Sequence, residues 1–180
     1  NVAGGADGSA LGGRPGQNTF AATGDMFLHV NGGTITVDGQ GDGIDVNGPI
    51  VQTGGDIVVH GPTSDMNGPL DYTGTCQVTG GTLIAAGSAG MAQAPDASST
   101  QNAALIVFDS AVPAGTAIDV VRDDGTVVAG ITPRRAAASL VVSTPDLTTG
   151  STFTVTAGGQ QAAQFSVAER VTVVGTVRGG

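Results

Sequence analysis

The chain has 180 residues, with 31 Gly, no Trp, one Tyr and five Phe, and its formal net charge is −9 at pH 7. This length fits one large domain or two small ones, and the composition favours short strands joined by turns over helices. The negative charge argues against nucleic acid and anionic membranes as partners, and no apolar run approaches the roughly 18 residues of a transmembrane helix.

Residues 1–24 are rich in Gly, Ala and small polar residues, a composition that predicts an irregular loop. The chain starts at Asn1 without Met or a signal peptide, and we interpret it as processed or excerpted. All positively charged residues are Arg, and none lies between Pro15 and Val121, where every charge is negative. The single Cys76 excludes an intrachain disulfide and is expected to be an inert core thiol.

A Gly-Gly pair recurs three times after Phe27, as Gly32-Gly33, Gly54-Gly55 and Gly80-Gly81. A short apolar strand precedes each pair and another follows it, and a third strand separates successive pairs. Three short strands per turn is the layout of a parallel β-helix, and parallel crossovers are right-handed. We therefore predict a right-handed parallel β-helix of about three turns over residues 25–108.

The alternation of side chains along each strand assigns a set of inward-facing columns. These columns are Leu28/Ile50/Cys76, Ile35/Ile57/Leu83, Val37/Val59/Ala85, Ile44/Leu70 and Val46/Tyr72. Gln52 also falls inward, between Val30 and Val78. This position predicts either a buried hydrogen-bond partner for Gln52 or a slip of the register there.

An aspartate recurs at the same outward position of adjacent turns, as Asp45 in "GIDVNG" and Asp71 in "PLDYTG". Strands about 4.8 Å apart would make these carboxylates repel by roughly 3 kcal/mol at an effective dielectric of about 20. They could splay into water, one of them could take up a proton, or a cation could bridge them. Calcium accepts about six to eight oxygen ligands in irregular geometry, so we predict a Ca²⁺ site, with solvated surface aspartates as the alternative. Its candidate ligands are Asp42, Asp45, Asp71, Asp65, Asn47 and Asn67.

Residues 109–180 predict an antiparallel β segment that covers the last turn of the β-helix. The stretch "AIDVVRDDGTVVAGI" predicts a hairpin with Asp124-Gly125 at its turn, and "SLVVSTPDL" and "STFTVTAGG" predict further strands. Arg134-Arg135 is interpreted as a solvated turn pair, with anion binding as the alternative.

The stretches "GDGIDVNG", "GPLDYTG", "GGTLIAAGSAGMAQAP" and "SSTQNAALIVF" resemble the bacterial carbohydrate-binding domain-containing β-helix family. The resemblance covers about Phe27 to Gly159, and the tail "AGTAIDVVRDDGTVVAGITPRRAAASLVVSTPDLTTGSTFTV" also matches its closing pattern. It implies a pectate-lyase-like fold, bound calcium and extracellular binding of cellulose or acidic plant sugars. Asp42, Asp45 and Asp71 sit on the shared motif.

Three functions follow from these patterns. The first is a non-catalytic, secreted or cell-surface module that binds a plant cell-wall or acidic polysaccharide with the help of calcium. The second is a structural surface protein, an adhesin or filament subunit that self-assembles. The third is a polysaccharide lyase, which is disfavoured because the resemblance implies an Arg or Lys base and the β-helix stretch offers only His29 and His60.

Overall fold

The computed structural model describes residues 2–4 and 26–177, which form β-strands joined by turns and contain no helix. The strands are β1 (Val2–Gly4), β2 (Leu28–Asp38), β3 (Ile44–Val46), β4 (Ile50–His60), β5 (Leu70–Tyr72), β6 (Cys76–Val78), β7 (Thr82–Gly87), β8 (Ala103–Val112), β9 (Ile118–Arg122), β10 (Val127–Ile131), β11 (Ala137–Ser143), β12 (Thr152–Ala157), β13 (Gln160–Ser166) and β14 (Val171–Val174). Most of the loop predicted for residues 1–24 lies outside the described residues.

The strands form three sheets. One is parallel, in the order β1-β3-β5, and a four-stranded antiparallel sheet has the order β10-β9-β12-β13. The largest sheet has seven strands in the order β14-β8-β11-β7-β4-β2, with β6 also paired to β4. In this sheet β11 runs antiparallel to both of its neighbours, whereas the other pairs are parallel.

The predicted right-handed parallel β-helix is wrong as a description of the fold. The described strands form mixed sheets and close no helix, because antiparallel β11 pairs along the edge of β7 where a further parallel turn would have to pair. Leu140, Val141 and Val142 of β11 are all fully buried, as expected for a central strand with both faces covered. The prediction failed because sequence repeats indicate only which similar segments pair with one another. They give no indication that a strand of different sequence, such as β11, joins the same sheet.

The predicted register of the repeated strands is confirmed within this mixed sheet. Ile35 pairs with Ile57, and Ile57 pairs with Leu83. Gln52 lies between Val30 and Val78 as predicted, and its side chain is fully buried. Its Nε2 donates hydrogen bonds to the carbonyls of Gly55 at 3.0 Å and Thr82 at 3.1 Å, so Gln52 has the buried partners that the sequence predicts. The register of β2 and β4 shifts only after this position, between Val30 and Thr34.

The Gly-Gly pairs form a column of corners in which backbone touches backbone. Gly33, Gly55 and Gly81 have φ values of 77°, 79° and 83°, a region that disfavours other residues. A Cβ placed on Gly55 would lie 2.6 Å from the carbonyl oxygen of Gly33, whereas a Cβ on Gly33 would meet nothing within 4 Å. The pairs are therefore required by close stacking at the inner positions of the column.

The largest sheet separates two hydrophobic cores. Leu83, Ala85 and Val141 face the core shared with β3 and β5, and Ile84 and Leu140 face the core shared with the four-stranded sheet. The chain therefore has three β layers. The surface predicted to be the outside of a β-helix is partly covered by the C-terminal strands. The predicted division into residues 1–24, 25–108 and 109–180 stays a prediction.

The predicted hairpin is confirmed, since β9 and β10 pair antiparallel around a turn in which Gly125 N–H donates to the Arg122 carbonyl at 2.9 Å. The interpretation of Arg134-Arg135 as a solvated turn pair holds for Arg134, which is exposed, but it leaves out the ion pairs that both residues form. Arg134 Nη1 lies 2.8 Å from Asp38 Oδ2, and Arg135 also forms an ion pair with Asp38. These contacts join the loop before β11 to the end of β2.

Candidate functional site

Asp45 and Asp71 lie side by side on β3 and β5, in the register that the sequence predicts. Their neighbours Ile44, Val46 and Leu70 are buried in the core, so strand alternation turns the two carboxylates to the opposite face. Asp45 is nevertheless only 7% exposed, and Asp71 is half-buried. The recurring aspartates therefore form an adjacent pair that is largely shielded from water.

Asp42 belongs to the same region. Its Oδ1 accepts a hydrogen bond from the Gly68 backbone N–H at 2.7 Å, and its charge acts on Asp71. Burial, and secondly the Asp42 charge, raise the pKa of the Asp71 carboxyl. Proton uptake by Asp71, one of the three predicted ways to relieve the repulsion, is therefore favoured by its surroundings.

The other predicted calcium ligands are less clearly arranged. Asp65 is exposed, Asn67 accepts a hydrogen bond from Ser88 through its backbone carbonyl, and Asp45 and Asn47 already have partners. Across residues 26–177, no group of three or more His, Cys, Asp or Glu side chains is placed to hold a metal ion. A calcium ion here would need backbone carbonyls or water as additional ligands, and the site stays a prediction.

The two His residues differ in exposure. His29 is exposed and its ring lies 4.7 Å from that of Phe27, which is 62% exposed. His60 is buried, and its Nδ1 has no hydrogen-bond partner among the described residues. Burial first, and then the nearby Arg134 charge, lower the pKa of His60. A buried imidazole is poorly placed to take a proton from a polymer.

A polar cleft of about 350 Å³ lies where four loops meet. The loops are those before β7, before β8, between β11 and β12, and before β14. Hydroxyl, amide and guanidinium groups dominate its lining, which consists of Thr79, Thr100, Gln101, Asn102, Pro145, Leu147, Thr148, Thr149 and Arg170. None of these residues is acidic, although the chain carries a net charge of −9.

Two buried amides hold the floor of this cleft. Gln101 Nε2 donates to the Gly81 carbonyl at 3.0 Å and to Ser143 Oγ at 2.9 Å. Asn102 Nδ2 donates to the Leu147 carbonyl at 2.6 Å and to Thr149 Oγ1 at 3.1 Å. Because these bonds tie the cleft to two neighbouring loops, its shape is set before any ligand arrives.

Arg170 forms one wall of the cleft. Its Nη1 donates to the Thr100 carbonyl and, at 2.9 Å, to Asn102 Oδ1. Its Nη2 and Nε make no hydrogen bond to the part of the chain that the structure describes, and Arg170 is partly exposed. The guanidinium is therefore fixed at one nitrogen and free to donate from the edge formed by the other two.

This cleft was not predicted from the sequence. Its residues come from four separated segments, and none carries a repeated motif. A weak signal was present, because Gln101-Asn102 places two amides directly before the apolar run of β8, where buried polar groups need partners.

A second cleft, also of about 350 Å³, is lined by the end of β8 and by parts of the four-stranded sheet, including Phe108, Val112, Ala157 and Ala162. Asp109 is its one charged lining residue. Its mainly apolar wall offers few groups that could orient a ligand.

Comparison of the chain with protein-family models, with curated proteins and with solved structures finds no match in any of the three. The resemblance to the carbohydrate-binding β-helix family therefore stays a prediction. The described residues also contain no helix that could cross a membrane.

Proposed function

We propose that this protein is a non-catalytic polysaccharide-binding module whose binding site is the polar cleft around Arg170. The observation that carries the proposal is the lining of the cleft, where threonine hydroxyls surround a fixed guanidinium. Sugars present hydroxyl groups that both donate and accept hydrogen bonds, and Thr hydroxyls can do the same. A volume of about 350 Å³ is near the lower limit for ligand pockets, which suits one short stretch of polymer.

A binding role is favoured over lyase chemistry by the surroundings of the candidate bases. His60 is buried with a lowered pKa, and His29 is a surface residue whose ring lies near that of Phe27. A base must reach the proton that it removes, and neither imidazole lines the cleft. Incubation with polygalacturonate should therefore leave the ultraviolet absorbance of unsaturated uronate unchanged.

The binding proposal is tested by calorimetric titration with oligogalacturonates, cello-oligosaccharides and neutral galacto-oligosaccharides. Thr149→Val and Thr100→Val remove cleft hydroxyls while nearly preserving side-chain shape, and each should weaken binding by about fivefold or more. Thr36→Val on β2 is the matched control, because Thr36 is exposed outside the cleft. Heats indistinguishable from dilution for all three sugars would refute the proposal.

A structural role in an assembly is a second candidate, supported by the two edges of the largest sheet. β2 and β14 are these edges, they run in the same direction, and exposed Val173 lies on β14. Unpaired edges can extend a sheet into another molecule. Light scattering over a range of protein concentrations tests this role, since a mass that stays monomeric would contradict it.

A further inference from the structure

We infer that Arg170 recognises the carboxylate of an acidic sugar, so that the cleft selects uronic acids and does so without calcium. The inference rests on the proposed polysaccharide-binding function and adds the class of sugar. Acid recognition is thereby assigned not to the aspartates near β3 and β5, where negative charge repels a uronate, but to the cleft around Arg170. The lining residues of this cleft carry one positive charge and no negative one.

Arg170 differs in its pairing from the other Arg residues of the described chain. Arg134 and Arg135 pair with Asp38, and Arg122 lies 3.3 Å from Asp146. Arg170 forms no ion pair with any described carboxylate, although Asp and Glu outnumber Arg by 15 to 6 in the whole chain. A cation left unpaired inside a polar cleft of an acidic protein is positioned for an anion from outside.

The guanidinium has the geometry for a two-point contact. Thr100 and Asn102 hold Nη1, which fixes the plane of the group. The remaining edge, Nε and Nη2, offers two parallel donors, and this is the arrangement that binds a carboxylate through both oxygens. Because the orientation is already set, little side-chain entropy is lost when the ligand binds.

The groups beside Arg170 indicate a sugar acid rather than a simple anion. Thr149 accepts a hydrogen bond from Asn102, so its own hydroxyl proton can point toward a ligand. Thr100 and Thr148 are exposed at the same cleft. A uronate places hydroxyl groups close to its carboxylate on one ring, so it can use both kinds of donor at once.

The test is calorimetric titration in buffer with EDTA, using an oligogalacturonate, a neutral galacto-oligosaccharide of equal length, and inorganic sulfate. The wild-type protein should bind the acidic oligomer at least about tenfold more tightly than the neutral one. Arg170→Gln should abolish that preference. Arg170→Lys should retain part of it, because Lys keeps the positive charge but lacks the two parallel N–H donors of the guanidinium. Arg134→Gln removes the same charge outside the cleft and should leave the preference unchanged.

Each alternative outcome is distinguishable. Equal binding of acidic and neutral oligomers, unchanged in Arg170→Gln, would overturn the inference and leave the proposed function intact. Sulfate binding as tight as the acidic oligomer would overturn it in favour of a plain anion site. A preference that appears only after calcium is added would place acid recognition on a metal instead. No binding of either oligomer would refute the function and the inference together. A melting temperature measured for each variant checks that Arg170→Gln still folds.

Discussion

Asp45 and Asp71 lie directly opposite each other on the adjacent parallel strands β3 and β5, and Asp45 is only 7% exposed. Asp45 already has a partner, so the charge of Asp71 is the one that a bound cation or a proton would relieve. These possibilities make opposite predictions for how the stability of the protein depends on pH and on calcium.

Replacing Asp71 with Asn should flatten the pH dependence of stability. The pKa of Asp71 is raised by burial and by Asp42, so the folded state holds this proton more tightly than the unfolded state does. The stabilisation that results is fully present below the unfolded pKa of 3.8 and is lost as the pH rises through the folded pKa. At neutral pH Asp71→Asn should therefore be more stable than wild type, by roughly 0.2–1 kcal/mol.

Urea unfolding from about pH 3 to about pH 8 measures this effect. Asp56→Asn, which changes an exposed carboxylate on β4, is the matched control. If both variants follow the wild-type curve, the Asp45–Asp71 pair does not strain the fold.

Added calcium should raise the melting temperature if the aspartate region binds the ion, because a ligand that binds the folded state stabilises it. Asp45→Asn and Asp71→Asn should each weaken that response. Differential scanning calorimetry with millimolar calcium and with EGTA checks it. An identical melting temperature in both buffers would show that the aspartate region does not bind calcium. Proton uptake by Asp71 would then be what relieves the repulsion between the carboxylates.

Gly55→Ala should destabilise the protein more than Gly33→Ala. Both positions have left-handed backbone, so each Ala costs roughly 1–2 kcal/mol from conformation alone. Only at Gly55 would the new methyl collide with backbone of the preceding corner, at Gly32 and Gly33, which should add about 1–3 kcal/mol. Guanidinium unfolding of the two variants gives the difference, and equal losses would show that the corners are not closely stacked.

Cys76 should be unreactive in the folded protein. Burial, with a smaller contribution from the Asp96 charge, raises the pKa of its thiol to about 12, so almost no thiolate exists near neutral pH. A disulfide reagent that reports released thiolate should show no reaction with native protein and complete reaction after denaturation. Rapid labelling of the native state would mean that the strand around Cys76 opens readily.

His60 should make the protein less stable in mild acid. Its pKa is lowered by burial and by Arg134, although the Asp38 charge opposes this, so the folded state resists the proton that the unfolded state accepts. The stabilisation that comes from keeping His60 neutral is fully present above the unfolded-state pKa of 6.5. It is lost as the pH falls through the lower pKa of the folded state. His60→Gln should reduce this loss between about pH 7 and about pH 5, while His29→Gln, on the surface, should not. If the free energy of unfolding falls with pH in the same way in both variants, the buried His60 is not the cause of the acid sensitivity.

Local pattern was sufficient for the short-range features of this protein. Period-two alternation and the recurring Gly-Gly pairs predicted the register of Ile35, Ile57 and Leu83, the inward position of Gln52, and the adjacency of Asp45 and Asp71. These features could be read from the sequence because equivalent strands repeat the same apolar positions and because close backbone stacking demands glycine.

The long-range features depended on the folded chain. The position of β11 between β7 and β8 arises from packing between segments that share no motif, so no repeat could reveal it. The same holds for the cleft, where Arg170 meets Asn102 across 68 residues of sequence and Asn102 meets Thr149 across 47. Side-chain alternation says which face a residue occupies, whereas the burial of Asp45 and the choice of partner for Arg170 depend on which distant loops cover that face.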